Sequence, residues 1–216
     1  MNNIELVIFD MDGLMFDTEV VSERAWYEAA KIHGYEVKRE LFLSFIGMNV
    51  KSIGEKFKSV YGEEFPFEDV NRYHKGRMDS LLEEEGLRNK KGLIELLDYL
   101  DEKKIRKAVA TSTSRERATR LLSEGSVLER FDAVICGDEV KKGKPDPEIF
   151  LKACSKLGVN TENAVVLEDS ERGLLAASAG NIKCIVIPDL GKPSEENKGL
   201  AYSIEDSLYD VINLIK

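Results

Sequence analysis

The chain has few of the residues that staple a fold or bind a transition metal. Cys136, Cys154 and Cys184 are its only three cysteines. An odd number in apolar segments reads as buried thiols in a reducing compartment, not as a disulfide framework. The only two histidines, His33 and His74, leave too few ligands at useful spacing for a histidine–cysteine zinc site. No apolar run approaches the ~20 residues of a membrane span, and no signal-peptide pattern opens the chain. The expectation is a soluble, cytoplasmic protein. A basic stripe is also missing: the formal net charge is −9, and cations come only in short mixed runs such as Lys141-Lys142-Gly143-Lys144. Binding to nucleic acid needs cations that displace counterions from phosphates, so that function class is excluded as the main one. A small anionic ligand stays open if a metal and a few lysines supply local positive charge.

Five short apolar runs, at residues 4–9, 107–111, 133–136, 164–167 and 182–187, read as strands buried on both faces, because they do not alternate. Helical patterns lie between the later ones. Leu93, Leu96, Leu97 and Leu100 follow i, i+3, i+4, i+7, and Ala118, Leu121 and Leu122 extend the same logic. In "KPDPEIFLKACSKLG", Asp146 reads as an N-cap, Pro147 as the first helical residue and Gly158 as the stop. In "EDSERGLLAASAG", Ser170 reads as the N-cap and Gly180 as the stop. Strand–helix alternation over residues 91–216 predicts an α/β fold with a doubly wound parallel sheet. Residues 18–85 break the rhythm with helical stretches near 18–33, 37–46, 49–61 and 66–85, punctuated by Gly34, Gly47, Gly62 and Gly86. The domain reading is therefore a core from residues 1–14 and 91–216, and an inserted α-helical cap from residues 15–90. Inserted after the first strand, the cap sits above the edge where open α/β sheets bind ligands.

Polar residues gather at that edge. "IFDMDGLMFDTE" puts Asp10 and Asp12 directly after the first strand, and the second strand delivers Thr111 and Ser112. Gly137-Asp138 follows the third, and Glu168 and Asp169 end the fourth. Lys144 lies in the loop before the helix after strand three. Carboxylates converging on one lysine and one hydroxyl are unstable without a cation. An all-oxygen set suits Mg²⁺, which shares oxygens with phosphate. Phosphoryl transfer follows as the chemistry: metal and lysine neutralise an anionic substrate, so an anionic nucleophile can approach it.

The four stretches "DMDGLMFDTE", "VATSTS", "KGKPDPEIF" and "VVLEDSERG" together resemble the motif set of the haloacid dehalogenase-like superfamily. The likeness is strongest to its phosphatase/β-phosphoglucomutase branch, with a helical cap between the first two motifs. The resemblance implies that Asp10 is the nucleophile that forms an aspartyl-phosphate, and that Asp12 is the general acid and then the base. It implies phosphoryl oxygens bound by Thr111, Lys144 and the Ser112 N–H, and Mg²⁺ held by Asp10, the Asp12 carbonyl, Asp169 and Glu168. Asp12 separates the chain from the dehalogenases and the phosphonate hydrolases of the superfamily.

Two positions favour a phosphatase over a mutase. Where β-phosphoglucomutase carries a histidine four residues after the first-motif threonine, this chain has Ser22. Where its cap carries an arginine three residues after a glycine, "FIGMNVKS" has Val50, with Lys51 one further. A lysine does not replace a bidentate guanidinium. The expected activity is Mg²⁺-dependent hydrolysis of a small phosphorylated metabolite, a sugar phosphate above all, by a monomer or weak homo-oligomer. A phosphosugar mutase is the first alternative, and a non-catalytic phosphate- or metal-binding module is one of another class. Gly47, Met48, Asn49, His74 and Lys75 are the candidate specificity residues of the cap. Trp26 reads as packing, His33 as a helix C-terminal residue, and Asp17, Thr18 and Glu19 as the start of the first cap helix.

Overall fold

The computed structural model describes residues 1 and 3–215. Six strands, β1 (Leu6–Phe9), β2 (Arg106–Ala110), β3 (Ala133–Ile135), β4 (Ala164–Glu168), β5 (Lys183–Val186) and β6 (Ser203–Ile204), form one parallel sheet. Their order is β3-β2-β1-β4-β5-β6. The five expected runs become the first five strands, with their ends moved by one or two residues. β6 has no counterpart among them, because two residues at a sheet edge carry no readable pattern.

Successive residues of a strand point to opposite faces. Val7, Phe9, Val109, Val165 and Leu167 therefore enter one apolar cluster, while Leu6, Ile8, Ala108, Ala110 and Val166 enter another. Helices α5 (Leu93–Glu102), α6 (Arg115–Glu124), α7 (Glu148–Leu157), α8 (Glu171–Ala179) and α9 (Leu208–Val211) follow the later strands and loops. Ser170 caps α8 as expected, its Oγ accepting the Gly173 N–H at 3.1 Å. The start of α7 needs correcting: Pro147 is the capping residue and not the first helical one. Asp146 serves the first turn from one place further out, its Oδ1 accepting the Glu148 N–H at 3.0 Å. The three cysteines are free and buried. Among the described residues no helix is long and apolar enough to cross a membrane.

Between β1 and β2 lie α1 (Glu19–Ile32), α2 (Arg39–Leu43), α3 (Val50–Tyr61) and α4 (Phe67–Glu85). Their far ends close an aromatic core of Trp26, Phe42, Phe45, Phe57, Phe65 and Phe67. Phe57 is its centre, with ring centroids 4.6 Å from Phe65 and 4.8 Å from Phe45. The near ends of the two long helices belong elsewhere: Val21 and Ala25 of α1, and Met78, Leu81 and Leu82 of α4, join the sheet-side cluster. Met15 and Phe16, counted with the insertion by sequence, are also buried there. The two connecting segments run side by side, with the Asp17 N–H donating to the Arg88 carbonyl at 3.0 Å and the Lys90 N–H to that of Met15 at 2.8 Å.

Removing the Phe57 ring leaves a cavity where the insertion's aromatic groups meet. Phe57→Ala is expected to cost about 3–5 kcal/mol of unfolding free energy in urea titration. A loss below about 1 kcal/mol would mean that the cluster does not behave as a packed core.

Candidate active site

The sheet register builds the site. Phe9 pairs with Val109 on one side and Leu167 on the other, so Asp10, Ala110 and Glu168 come out abreast at the carboxyl edge. Strand order reverses between β1 and β4, the switch point where open α/β sheets open a crevice. Lys144 reaches this point from the loop before α7. Its ammonium donates to Asp10, to Glu168 and to the Ala110 carbonyl, the last at 3.2 Å. All three N–H donors are thereby engaged. A direct bond from Lys144 to a phosphoryl oxygen, as the resemblance implies, requires one of these to be given up. Glu168 is fixed from its other oxygen, Oε2 accepting the Ser170 N–H at 3.1 Å and the Ser170 hydroxyl at 2.8 Å.

Asp10, Glu168 and Asp169 offer carboxylate oxygens within 4.8 Å of one another. One lysine does not balance them. Burial pushes the Asp10 carboxyl up to about 7, with Lys144 pulling it back and Glu168 pushing it further. Burial, then Glu168 and Asp10, hold Asp169 well above the usual carboxylate range. Burial alone would lower Lys144, but Asp10 and Glu168 keep its ammonium above the ordinary lysine value. Close like charges need a cation to ionise together, and three carboxylates without sulfur or imidazole fit a hard one such as Mg²⁺. The chain makes room for the cluster at Gly13, whose φ of +80° is left-handed and where a Cβ would collide with Asp169 Oδ2.

Asp12 lies outside that set. Its Oδ1 accepts the Thr18 hydroxyl at 2.8 Å, and its Oδ2 accepts the Thr113 hydroxyl at 2.8 Å, with Thr111 at 3.5 Å. Its side chain is thus held by hydroxyl groups, apart from the carboxylate cluster. Asp10 and Asp12, two residues apart, therefore occupy different surroundings: a buried lysine for one, a ring of hydroxyls for the other. The N–H groups of Met11, Asp12 and Ser112 make no backbone hydrogen bond among the described residues and are free to receive oxygen. The Ser112 hydroxyl donates instead to the Gly47 carbonyl at 3.2 Å.

Asp10, Asp12, Thr111, Ser112 and Asp169 line a cavity of about 170 Å³. Its other walls come from the insertion, including Gly47, Met48, His74 and Lys75 among the candidate specificity residues. Asn49 does not line it: it caps α3, accepting the Ser52 N–H at 2.9 Å. Sequence reasoning missed Thr113, and it treated Glu19 only as a helix start. Glu19 lines the cavity, and burial, followed by Asp12, Asp189 and Asp10, raises its carboxyl to about 8. Its signal is its position beside Thr18, in the helical turn that faces back towards the β1 loop.

The parallel sheet thus gathers carboxylates, hydroxyls and a lysine at its switch point. The profile of the haloacid dehalogenase-like hydrolases matches residues 7–187. The phosphorylated carbohydrates phosphatase of Thermotoga maritima is 34% identical over 195 residues, covering 84% of each chain. The validoxylamine A 7'-phosphate phosphatase of Streptomyces hygroscopicus subsp. limoneus is 30% identical over 182 residues, again 84% of each. The crystal structure of CbbY from Rhodobacter sphaeroides in complex with phosphate superposes with a TM-score of 0.84 at 31% identity, covering 96% of both chains. A mutant of that protein has been solved in complex with xylulose-(1,5)bisphosphate. The chain belongs to the haloacid dehalogenase-like hydrolase family. It is a phosphoric monoester hydrolase of that family, the activity named for both of these phosphatase relatives.

His74 gives the site a pH signature. Its ring stacks on Trp26 at 3.9 Å, and its Nε2 lies 3.3 Å from the Ser22 hydroxyl. Burial, with Arg117 and Lys75 nearby, lowers it to about 3. The unfolded chain takes up this proton below about pH 6.5, whereas the folded chain holds out until about 3. The contribution is thus fully present above 6.5 and drains away as pH falls, by up to about 1.4 kcal/mol per unit. His74→Phe is expected to flatten the unfolding free energy between pH 6.5 and 4 relative to the parent, as read by denaturant titration at each pH. Parallel curves for the two proteins would mean that His74 is not held neutral.

Proposed function

We propose that the protein is a Mg²⁺-dependent phosphatase of small phosphorylated metabolites, sugar phosphates foremost, acting through an aspartyl-phosphate on Asp10. One observation carries this reading: two neighbouring carboxyl groups on one cavity are held in opposite ways, Asp10 by a buried ammonium and Asp12 by hydroxyls. Such a pair divides nucleophile from proton carrier. Asp10 attacks phosphorus and forms a P–O bond. The ester oxygen leaves with the electrons of its own P–O bond and takes a proton from Asp12. Asp12 then accepts a proton from the water that attacks the aspartyl-phosphate, releasing inorganic phosphate and restoring Asp10. Splitting one displacement into two lowers each barrier. The free N–H groups of Met11, Asp12 and Ser112 are placed to receive phosphoryl oxygens. Lys144 offsets charge while fixing Asp10 against Glu168. Asp10, Asp169, Glu168 and the Asp12 carbonyl would hold Mg²⁺, whose contribution is neutralisation of phosphate charge.

The helical insertion, residues 15–90, serves in this reading as a cap that walls the cavity from bulk water. Val50 lines the cavity with an apolar side chain where a mutase-type cap presents a guanidinium, which favours hydrolysis over phosphate return. The carbohydrate named for the Thermotoga relative and the bisphosphate bound to CbbY both fit the sugar phosphate class.

Phosphate release from a panel of sugar phosphates with Mg²⁺ tests the reading. Asp10→Asn is expected to abolish turnover, and Asp12→Asn to lower kcat by at least about 10²-fold, as expected for loss of a general acid–base. Turnover that survives Asp10→Asn would remove the nucleophile from this mechanism. Cation binding has its own readout: Mg²⁺ is expected to raise the melting temperature of the parent, and Asp169→Asn to lose that shift. Equal shifts in both would place the cation away from this cluster.

A further inference from the structure

Part of the cavity has no task in phosphoryl transfer. Arg117, in the first turn of α6, lines it and is held by Asp79 of α4 through Nη1. Its Nη2 is buried and has no hydrogen-bond partner. His74 Nδ1, on the same cavity, is likewise buried and unpaired. Lys75 lines the cavity and forms no ion pair among the described residues. Asp79 is shared between Arg117 and Arg120, and Arg120 also faces Glu124, so among the described residues Lys75 remains the cation beside Arg117 without an ion pair, in a chain of net charge −9. A guanidinium and an ammonium carry donors only. A buried donor without a partner is costly, and the group that relieves it is an acceptor, best an anionic one that takes a guanidinium edge.

We propose that Arg117, assisted by Lys75, seats a second anionic group of the substrate, a carboxylate or phosphate at the end remote from the scissile ester. This rests on the phosphatase reading and narrows it: phosphorylated sugar acids or sugar bisphosphates are preferred over sugar monophosphates with a neutral far end. The grip comes from α6 and α4, not from the loop around Gly47 and Val50, so it is compatible with the lack of an arginine there.

Initial rates of phosphate release on two matched pairs test the assignment: glucose 6-phosphate against 6-phosphogluconate, and fructose 6-phosphate against fructose 1,6-bisphosphate. In the parent, kcat/KM should favour the anionic member of at least one pair by about tenfold or more, and the responding pair tells carboxylate from phosphate. Arg117→Gln should bring that ratio close to one, mainly through KM, and Arg117→Lys should restore part of it. Because Arg117 also pairs with Asp79, melting temperatures are taken alongside, and Lys75→Gln, at an exposed residue, should lower the same ratio by about threefold. A parent without preference, or a preference that Arg117→Gln leaves intact, overturns the assignment and spares the phosphatase reading. Release from p-nitrophenyl phosphate with none from the four sugars overturns the substrate class. No release from any ester overturns both.

Discussion

The buried ammonium of Lys144 is the contact on which the site depends. Among the described residues it is the one cation bonded to Asp10 and Glu168, and all three residues are at most 7% exposed. Removing one partner of such a buried set strands the others, a loss of about 3–5 kcal/mol in comparable cases. The loop that carries it is correspondingly braced. Arg172 donates to the Lys144 carbonyl at 3.0 Å, and the Glu148 carboxylate accepts the N–H groups of Lys141 and Lys142 at 2.9 and 3.0 Å. The position of one nitrogen is thus fixed by α7, α8 and the sheet edge together.

That nitrogen also explains why two carboxyl groups two residues apart can do different work. Asp10 continues β1 directly, with its N–H donating to the Leu167 carbonyl at 3.0 Å, and its side chain is committed to the buried lysine. Asp12 lies past the end of the strand, where the chain has begun to turn towards Gly13, and there it meets Thr18 from the insertion side and Thr113 from the β2 loop. In the proposed mechanism these unlike surroundings divide the roles, as they separate paired carboxylates in other enzymes.

Much of this was legible in the sequence because parallel strands advertise themselves. An apolar run that ends in Asp10, Thr111 or Glu168 signals both a strand and what it delivers. Edge strand β6 was silent, since Ser203 and Ile204 carry too little pattern. The aromatic core around Phe57 was also hidden, because its members come from four segments with no common period. Thr113 was overlooked because Thr111 has the same chemistry and sits nearer the strand. Arg117 left a signal that is easy to pass over. A cation in the first turn of a helix opposes the helix dipole, so it needs another reason to be there. "SRERATRLL" has two such residues: Arg115 is occupied by the Val134 carbonyl and Glu139, whereas Arg117 keeps an unpaired nitrogen. Its partner Asp79 lies 38 positions earlier, beyond the reach of local pattern.

The insertion touches the sheet edge at a revealing place. Gly47, at φ +75°, accepts the Ser112 hydroxyl, and a Cβ there would lie 2.8 Å from Ser170 Oγ and 3.3 Å from Arg172 Cβ. Ser170 is the residue that fixes Glu168, and Arg172 is the one that braces Lys144. The loop that walls the cavity therefore rests on the same two side chains that hold the carboxylate cluster in order. A displacement of that loop would be felt by Glu168 and Lys144 without any change in the residues that do the chemistry. At the centre of this contact, where φ is left-handed and Ser170 and Arg172 crowd in, only a residue without a side chain fits.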